Sequence, residues 1–311
     1  RALLEQKQYQ QARDEFQHLS KDSPDNVDLA FAVALISLQL NDLPGAEAQL
    51  RLALSKGGKG QDGVEYFLGQ LNEAKENEDE ALIHYRAVSA GEYQFSAQLR
   101  VAYLLNKHGQ LSEARSYLQQ AHAITPPQRV QLLVIEAQML RDARQLPEAY
   151  QVLQQGLAKL PNNPELLYEA AMQADLLGKY ESSERLLRKL IQLQPDNAHA
   201  YNALGYSLLE RNVRVKEAVV LVEKALQLAP DDYSIMDSVG WGYFRSGKLD
   251  ESVAMLKRAY AGNPDPEIAA HLGEVLWARG EKDAASQLWQ ASAQAHPDNV
   301  LLQTVIKRFM P

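Results

Sequence analysis

The chain has 311 residues, 46% of them hydrophobic, and a formal net charge of −8 from 32 Lys plus Arg against 40 Asp plus Glu. This acidic balance argues against a nucleic-acid partner, because phosphate binding needs a basic face. The absence of cysteine excludes disulfides, zinc-thiolate sites and a Cys nucleophile, and no apolar run approaches the ~18 residues of a membrane-spanning helix.

At the start of the chain, Tyr9, Ala12, Phe16, Leu19 and Pro24 fit the second helix of a helix pair and its stop, while Arg1–Gln6 reads as the tail of a first helix. The sequence is therefore expected to begin inside a repeat, with further sequence upstream. From there to the C-terminus one phrase recurs. Prolines stand at Pro126, Pro161, Pro195, Pro230, Pro264 and Pro297, with spacings of 35, 34, 35, 34 and 33. Most end an apolar-periodic helix and open another, as in "IQLQPDNAHA" and "LQLAPDDYSI". Proline stops the first helix for want of an N–H, and the Asp or Asn after it can cap the next.

Between the prolines a small residue comes first: Gly69, Ala102, Ala137, Ala171, Gly205, Gly240 and Gly273. A second small residue follows 12 residues on, 13 in one repeat: Ala81, Ala114, Ala149, Ser183, Ala218, Ser252 and Ala285. Four further along stands a bulkier residue, Tyr85, Leu118, Leu153, Leu187, Val222, Leu256 or Trp289. The small pair lets two helix backbones approach, and the bulky side chain fills the space beside them. Turn phrases such as "KHGQLSEA" and "RSGKLDES" supply the Gly or polar residues that reverse the chain.

Three stretches depart from the pattern. "KGGKGQDG" (Lys56–Gly63) replaces the Pro junction with a flexible loop, and Tyr93 stands where the next Pro would be, so a local hinge or weaker stacking is expected between 56 and 95. "ERNVRVKEA" (Glu210–Ala218) is one residue longer than its counterparts, which should open its turn. In "VLLQTVIKRFMP", Val300, Leu301, Leu302, Val305, Ile306 and Phe309 can form one apolar stripe, and Lys307 and Arg308 suit a helix C-terminus. This segment reads as a capping helix.

No catalytic constellation emerges. Gly58–Gly63 formally matches G-x-G-x-x-G, but the dinucleotide reading requires a preceding buried strand, and "EAQLRLALSK" before it reads as a helix. A junction loop is the alternative. None of the seven histidines forms an H-E-x-x-H motif. His271 and Glu274, one turn apart, read as a helical hydrogen-bonding pair or as a metal or acid–base fragment. There is no G-x-S-x-G elbow. No enzymatic activity, cofactor or metal is expected.

A ~34-residue helix–turn–helix with small, small, bulky and Pro positions resembles the tetratricopeptide (TPR) repeat. The resemblance implies an all-α right-handed solenoid: a truncated repeat over 1–26, repeats over 27–61, 62–94, 95–129, 130–163, 164–197, 198–232, 233–265 and 266–298, and a cap over 299–311. In such a stack the first helix of each repeat lines the concave face. The positions that project there include Tyr103 and Asn106, Gln138 and Arg141, Tyr168 and Met172, then His199, Asn202, Tyr206 and Glu210, then Asp237, Trp241, Phe244 and Arg245, and finally Glu274 and Trp277. The aromatics fit either ordinary inter-helix packing or rigid anchors of a peptide groove, with Arg245, Asp237 and Asn202 as polar reading groups. The class of TPR proteins that clamps a terminal carboxylate with Lys and Asn is disfavoured, because the matching positions carry no Lys.

Two segments, Asn202–Tyr260 and Asp265–Trp289, resemble the C-terminal repeats of a proteobacterial family of TPR lipoproteins of the LbcA-like type. That resemblance implies a periplasmic protein held at the outer membrane through an upstream lipid anchor outside this chain. It also implies an adaptor that binds and activates a carboxyl-terminal processing protease and helps deliver cell-wall hydrolase substrates. A general peptide-binding assembly factor is the alternative, and the interaction region of a larger enzyme is a third.

Overall fold

The computed structural model describes residues 6–23, 26–57 and 60–310. Among these residues there are eighteen helices and no strand. They gather into two compact units, Arg1–Ala143 and Arg144–Pro311. The first contains α1 (Tyr9–Asp22), α2 (Val27–Gln39), α3 (Leu43–Lys56), α4 (Gln61–Ala74), α5 (Glu78–Ala87), α6 (Gln94–Lys107), α7 (Leu111–Gln120) and α8 (Pro126–Asp142). The second contains α9 (Leu146–Lys159), α10 (Pro164–Leu176), α11 (Tyr180–Leu193), α12 (Ala198–Glu210), α13 (Val215–Leu228), α14 (Tyr233–Arg245), α15 (Leu249–Gly262), α16 (Pro266–Ala278), α17 (Lys282–Ala295) and α18 (Val300–Phe309). In each unit, successive helices pair as hairpins, and each hairpin stacks on its neighbours.

The small-and-bulky pattern has a direct steric basis. A Cβ built on Gly69 would lie 2.6 Å from the Tyr85 ring, one on Gly205 2.6 Å from Val222 Cγ1, and one on Gly240 2.6 Å from Leu256 Cγ. On Gly273 it would meet Trp289 Nε1 at 2.0 Å. Each bulky residue of the second helix therefore fills the hollow left by the glycine of its own hairpin. Tyr85, Leu256 and Trp289 are almost completely buried, and full burial of one such side chain is worth about 1.5–3 kcal/mol. Ser252, at the second small position, donates from Oγ to the Gly240 carbonyl at 2.7 Å, which binds the two helices of that hairpin.

Capping follows the phrases after the prolines. Asn163, Asn197 and Asn299 each accept the amide three residues on, Asp265 accepts from Glu267, and Asp232 accepts from both Ser234 and Ile235. Thr125 and Gln128 form a capping box at α8. Hairpins reverse through left-handed residues, such as Gly247 at φ +80° and Gly280 at +93°, where a side chain would be strained. The α12–α13 turn absorbs its extra residue with two left-handed residues, Asn212 and Arg214.

At the Lys56–Gly63 stretch, Lys56 ends α3. Gln61–Gly63 belong to α4, and Gly58 and Lys59 lie outside the described residues, as does Pro24. Asp62 Oδ1 accepts from the Ser89 and Ala90 amides at 2.6 and 3.0 Å, pinning the next junction. Burial would raise the Asp62 pKa, but these hydrogen bonds outweigh it and the net shift is downward. Tyr93, at the position of the missing proline, stacks on Tyr66 with ring centroids 4.9 Å apart and meets Phe67 edge-on at 5.3 Å. An aromatic cluster thus replaces the proline stop. The segment before the G-x-G-x-x-G match is helix α3, so the strand required by a dinucleotide site is missing.

Within the second unit, α18 covers the last hairpin. Phe309 stacks on Trp289 at 5.3 Å and tilts against Trp277 at 5.6 Å, while Leu302 and Val305 are buried beneath it. Among the described residues no helix is long and apolar enough to cross a membrane.

Candidate partner-binding site

The first helices α12, α14 and α16 of the second unit lie side by side. They bring together Asn202, Tyr206, Asp237, Trp241 and His271. At the centre, His271 Nδ1 is 2.8 Å from Asp237 Oδ2, and both residues are about 95% buried. The imidazole stacks on Trp241 with centroids 4.3 Å apart. Tyr206 tilts toward the same ring at 6.2 Å, and its hydroxyl donates to Glu267 Oε1 at 2.9 Å.

Burial disfavours the imidazolium of His271. The charge and hydrogen bond of Asp237 outweigh that penalty, with Glu267 and Glu210 adding to them, so the His271 pKa is raised above its ordinary value. The Tyr206 hydroxyl is pushed upward, first by burial and then by Glu267 and Glu210, and stays protonated as a donor.

Two cavities open beside this cluster. One, of about 180 Å³, is lined by Asn202, Tyr206, Ser234, Asp237, Ser238, Asp265, Glu267 and Ile268. The other, of about 220 Å³, is bounded by Trp241, Arg245, His271, Glu274 and Arg308, with the α18 residues Leu301, Thr304 and Val305 on one side. Asn202 Oδ1, Asp237 Oδ1 and Trp241 Nε1 are buried and have no hydrogen-bond partner among the described residues. A buried polar atom left this way costs about 1–3 kcal/mol.

The residues singled out from the sequence divide into three groups. Asn202, Tyr206 and Asp237 line the first cavity. Trp241, Phe244 and Arg245 cluster as their spacing implies, but mainly as packing. Trp241 is 6% exposed and Phe244 lies 5.1 Å from it. Arg245 donates from Nε to the Leu209 carbonyl at 3.1 Å and from Nη2 to that of Glu210 at 3.3 Å, capping the end of α12. The anchor role expected of these three meets a physical obstacle: the ring is covered and two of the guanidinium donors are taken. Trp277 is likewise engaged under the cap, and Glu274 forms an ion pair with Arg308. The expected His271–Glu274 pairing gives way to His271–Asp237 and Glu274–Arg308.

Tyr168 and Met172 on α10 are half-buried. Tyr168 packs against the core around Leu167 and Leu204 and is not among the residues that line the first cavity, and burial raises its pKa. Tyr103 belongs to the first unit, is 46% exposed, and has Arg100 4.6 Å above its ring.

Sequence reasoning missed Glu267, Ser234 and the partnership of His271 with Asp237. The available signal was the spacing of that pair, 34 residues, which is one repeat. Among the described residues no group of His, Asp and Glu could hold a metal ion.

Tetratricopeptide-repeat models match residues 3–63 and, in two further stretches, 168–233 and 240–300, which together make more than half of the chain. A TPR repeat-containing protein of Pseudomonas aeruginosa is 40% identical over 213 residues, 68% of this chain and 36% of that protein. The chain thus spans little more than a third of that relative's length. Among solved structures, a tetratricopeptide repeat protein from Parabacteroides merdae superposes with a TM-score of 0.63 at 16% identity, covering 81% of this chain and 100% of the other. A thermophilic TPR protein of Thermus thermophilus gives 0.53 at 21% identity, over 58% and 98% of the two chains. These two likenesses concern the fold.

Proposed function

The chain belongs to the tetratricopeptide repeat family, a fold that serves as a protein–protein interaction scaffold, and on that premise we propose that it acts as a non-enzymatic adaptor whose working surface is the row of first helices α12, α14 and α16. The observation that carries this reading is the first cavity, where three successive repeats present polar groups, two of them buried without partners. The finer role we propose is to bind and activate a carboxyl-terminal processing protease and to help bring cell-wall hydrolases to it. That would take place in the periplasm, with attachment to the outer membrane through a lipid anchor upstream of this chain. Support for the finer role comes from the resemblance carried by Asn202–Tyr260 and Asp265–Trp289, while the 40% identity with a bacterial TPR protein supports the scaffold reading.

The test mixes the purified chain with a periplasmic carboxyl-terminal processing protease and a cell-wall hydrolase. The chain should bind the protease and speed hydrolase cleavage. Asn202→Ala combined with Tyr206→Phe should weaken capture of the protease or its substrate while helicity is kept. No binding and no acceleration would sink the adaptor role and leave a general peptide-binding assembly factor. Unchanged capture by the double variant would move the interface off this row of helices.

A further inference from the structure

We propose that the cavity between α12, α14 and α16 is a receptor for one positively charged side chain, the ammonium of Lys or the guanidinium of Arg, carried on an extended protein segment. The inference rests on the scaffold reading and adds the chemistry of what is recognised.

The geometry points to a donor-rich guest. The unpartnered atoms of the residues lining this cavity, Asn202 Oδ1 and Asp237 Oδ1, are both acceptors, and Asp237 is itself 5% exposed. The charged lining residues are Asp237, Asp265 and Glu267, with no Lys, Arg or His among them. His271 neutralises part of this charge from behind through Asp237 Oδ2, which leaves Oδ1 as the free acceptor. The Tyr206 hydroxyl is directed to Glu267 and Ser238 Oγ donates to the Ser234 carbonyl, so the side-chain donors left on the lining are the neutral Asn202 Nδ2 and Ser234 hydroxyl.

Helix starts ordinarily favour anions because their first amides are unpaired. Here the capping carboxylates take three of those amides. Asp232 accepts the Ser234 and Ile235 amides at 2.9 and 3.1 Å, and Asp265 accepts that of Glu267 at 2.8 Å. A carboxylate or phosphate entering the cavity would meet three carboxylates, that of Asp237 with a bare oxygen, and the bare Asn202 Oδ1 beside them. An ammonium or guanidinium would satisfy both oxygens with charge-assisted hydrogen bonds, roughly twice as strong as neutral ones.

Size narrows the choice further. A volume of about 180 Å³ is below the ~300–1,000 Å³ typical of small-molecule and cofactor sites. It suits the end of a single side chain. Ile268 supplies an apolar wall for the methylenes that precede the charge.

The test uses the full chain, labelled for heteronuclear NMR, titrated with blocked pentapeptides of alanine bearing Lys, Arg, norleucine or Glu at the centre, and separately with n-butylamine. Saturable shifts at the amides of Ser234, Asp237, Ser238 and Glu267 are expected for the Lys or the Arg peptide below about 10 mM, and at least tenfold weaker binding for norleucine and Glu. Asp237→Asn should abolish the response. Because that change also removes the partner of His271, Glu267→Gln, at the exposed rim, is the second variant and should weaken binding several-fold with the helicity unchanged. Equal shifts with norleucine, or no saturable shift with either basic peptide, would overturn the proposal. Binding of n-butylamine as tight as that of the Lys peptide would overturn the assignment to a peptide segment. Failure here, with protease capture intact, would leave the adaptor reading standing.

Discussion

His271 is the residue whose behaviour depends most on its setting. Its folded pKa is raised, so the stabilisation it supplies is fully present below the ordinary histidine value near ~6.5 and is lost as pH rises through the raised folded value. The melting temperature of the protein should therefore carry a component that falls as pH rises above the ordinary histidine value. His271→Gln should remove that component, so that the difference between wild type and variant shrinks from pH 6 to pH 9. A difference that is flat or grows over this range would show that the imidazole is neutral in the folded protein. The sequence offered little warning of this site. Asp237 and Trp241 on α14 and Asn202 on α12 could each be assigned to the concave side by position, but which neighbours cover Trp241 depends on the following repeat. Rotamers and ring stacking between repeats are not written in the periodicity of any one helix. Arg245 shows the same limit: its spacing places it beside Trp241, and only the packed structure shows its donors spent on the carbonyls ending α12.

At the scale of helices, the contact between Gly240 and Leu256 shows why the repeat was legible. The position must be small because its neighbour is already there, with Leu256 Cγ 2.6 Å from where a Cβ would stand. Gly240→Leu should overfill the α14–α15 hairpin and destabilise the protein by roughly 1–3 kcal/mol or more. Chemical denaturation followed by circular dichroism checks this, and an unchanged midpoint would mean that the helix register is wrong. The caps, the turns and the covering helix α18 were readable for the same reason: each depends on residues close in sequence. Beside the Lys56–Gly63 stretch, the partners of Asp62 and Tyr93 were not legible, because glycine count says nothing of contacts distant in sequence. Asp62 ties α4 to the Ser89–Ala90 segment, and Tyr93 rebuilds the junction with aromatic packing.

Across the whole molecule, the repeats gather into two compact units meeting in sequence at Ala143 and Arg144. The turn there resembles the other turns in composition, so no local signal marks it. The acidic balance of the chain is partly spent on ion pairs between neighbouring hairpins, such as Arg214 with Glu184, whose carboxyl is held down to about 2, first by its hydrogen bond to Arg214 and against the effect of burial, with Arg188 adding. The second unit carries the acidic cavity on its first helices. The most direct test of a partner-binding role for that surface is hydrogen exchange of the full chain with and without its captured protein partner. Binding should slow exchange in α12, α14 and α16, most strongly in the segments carrying Asn202, Tyr206 and Asp237. Protection confined to the second helices α11, α13, α15 and α17, or absent from the second unit, would contradict the account.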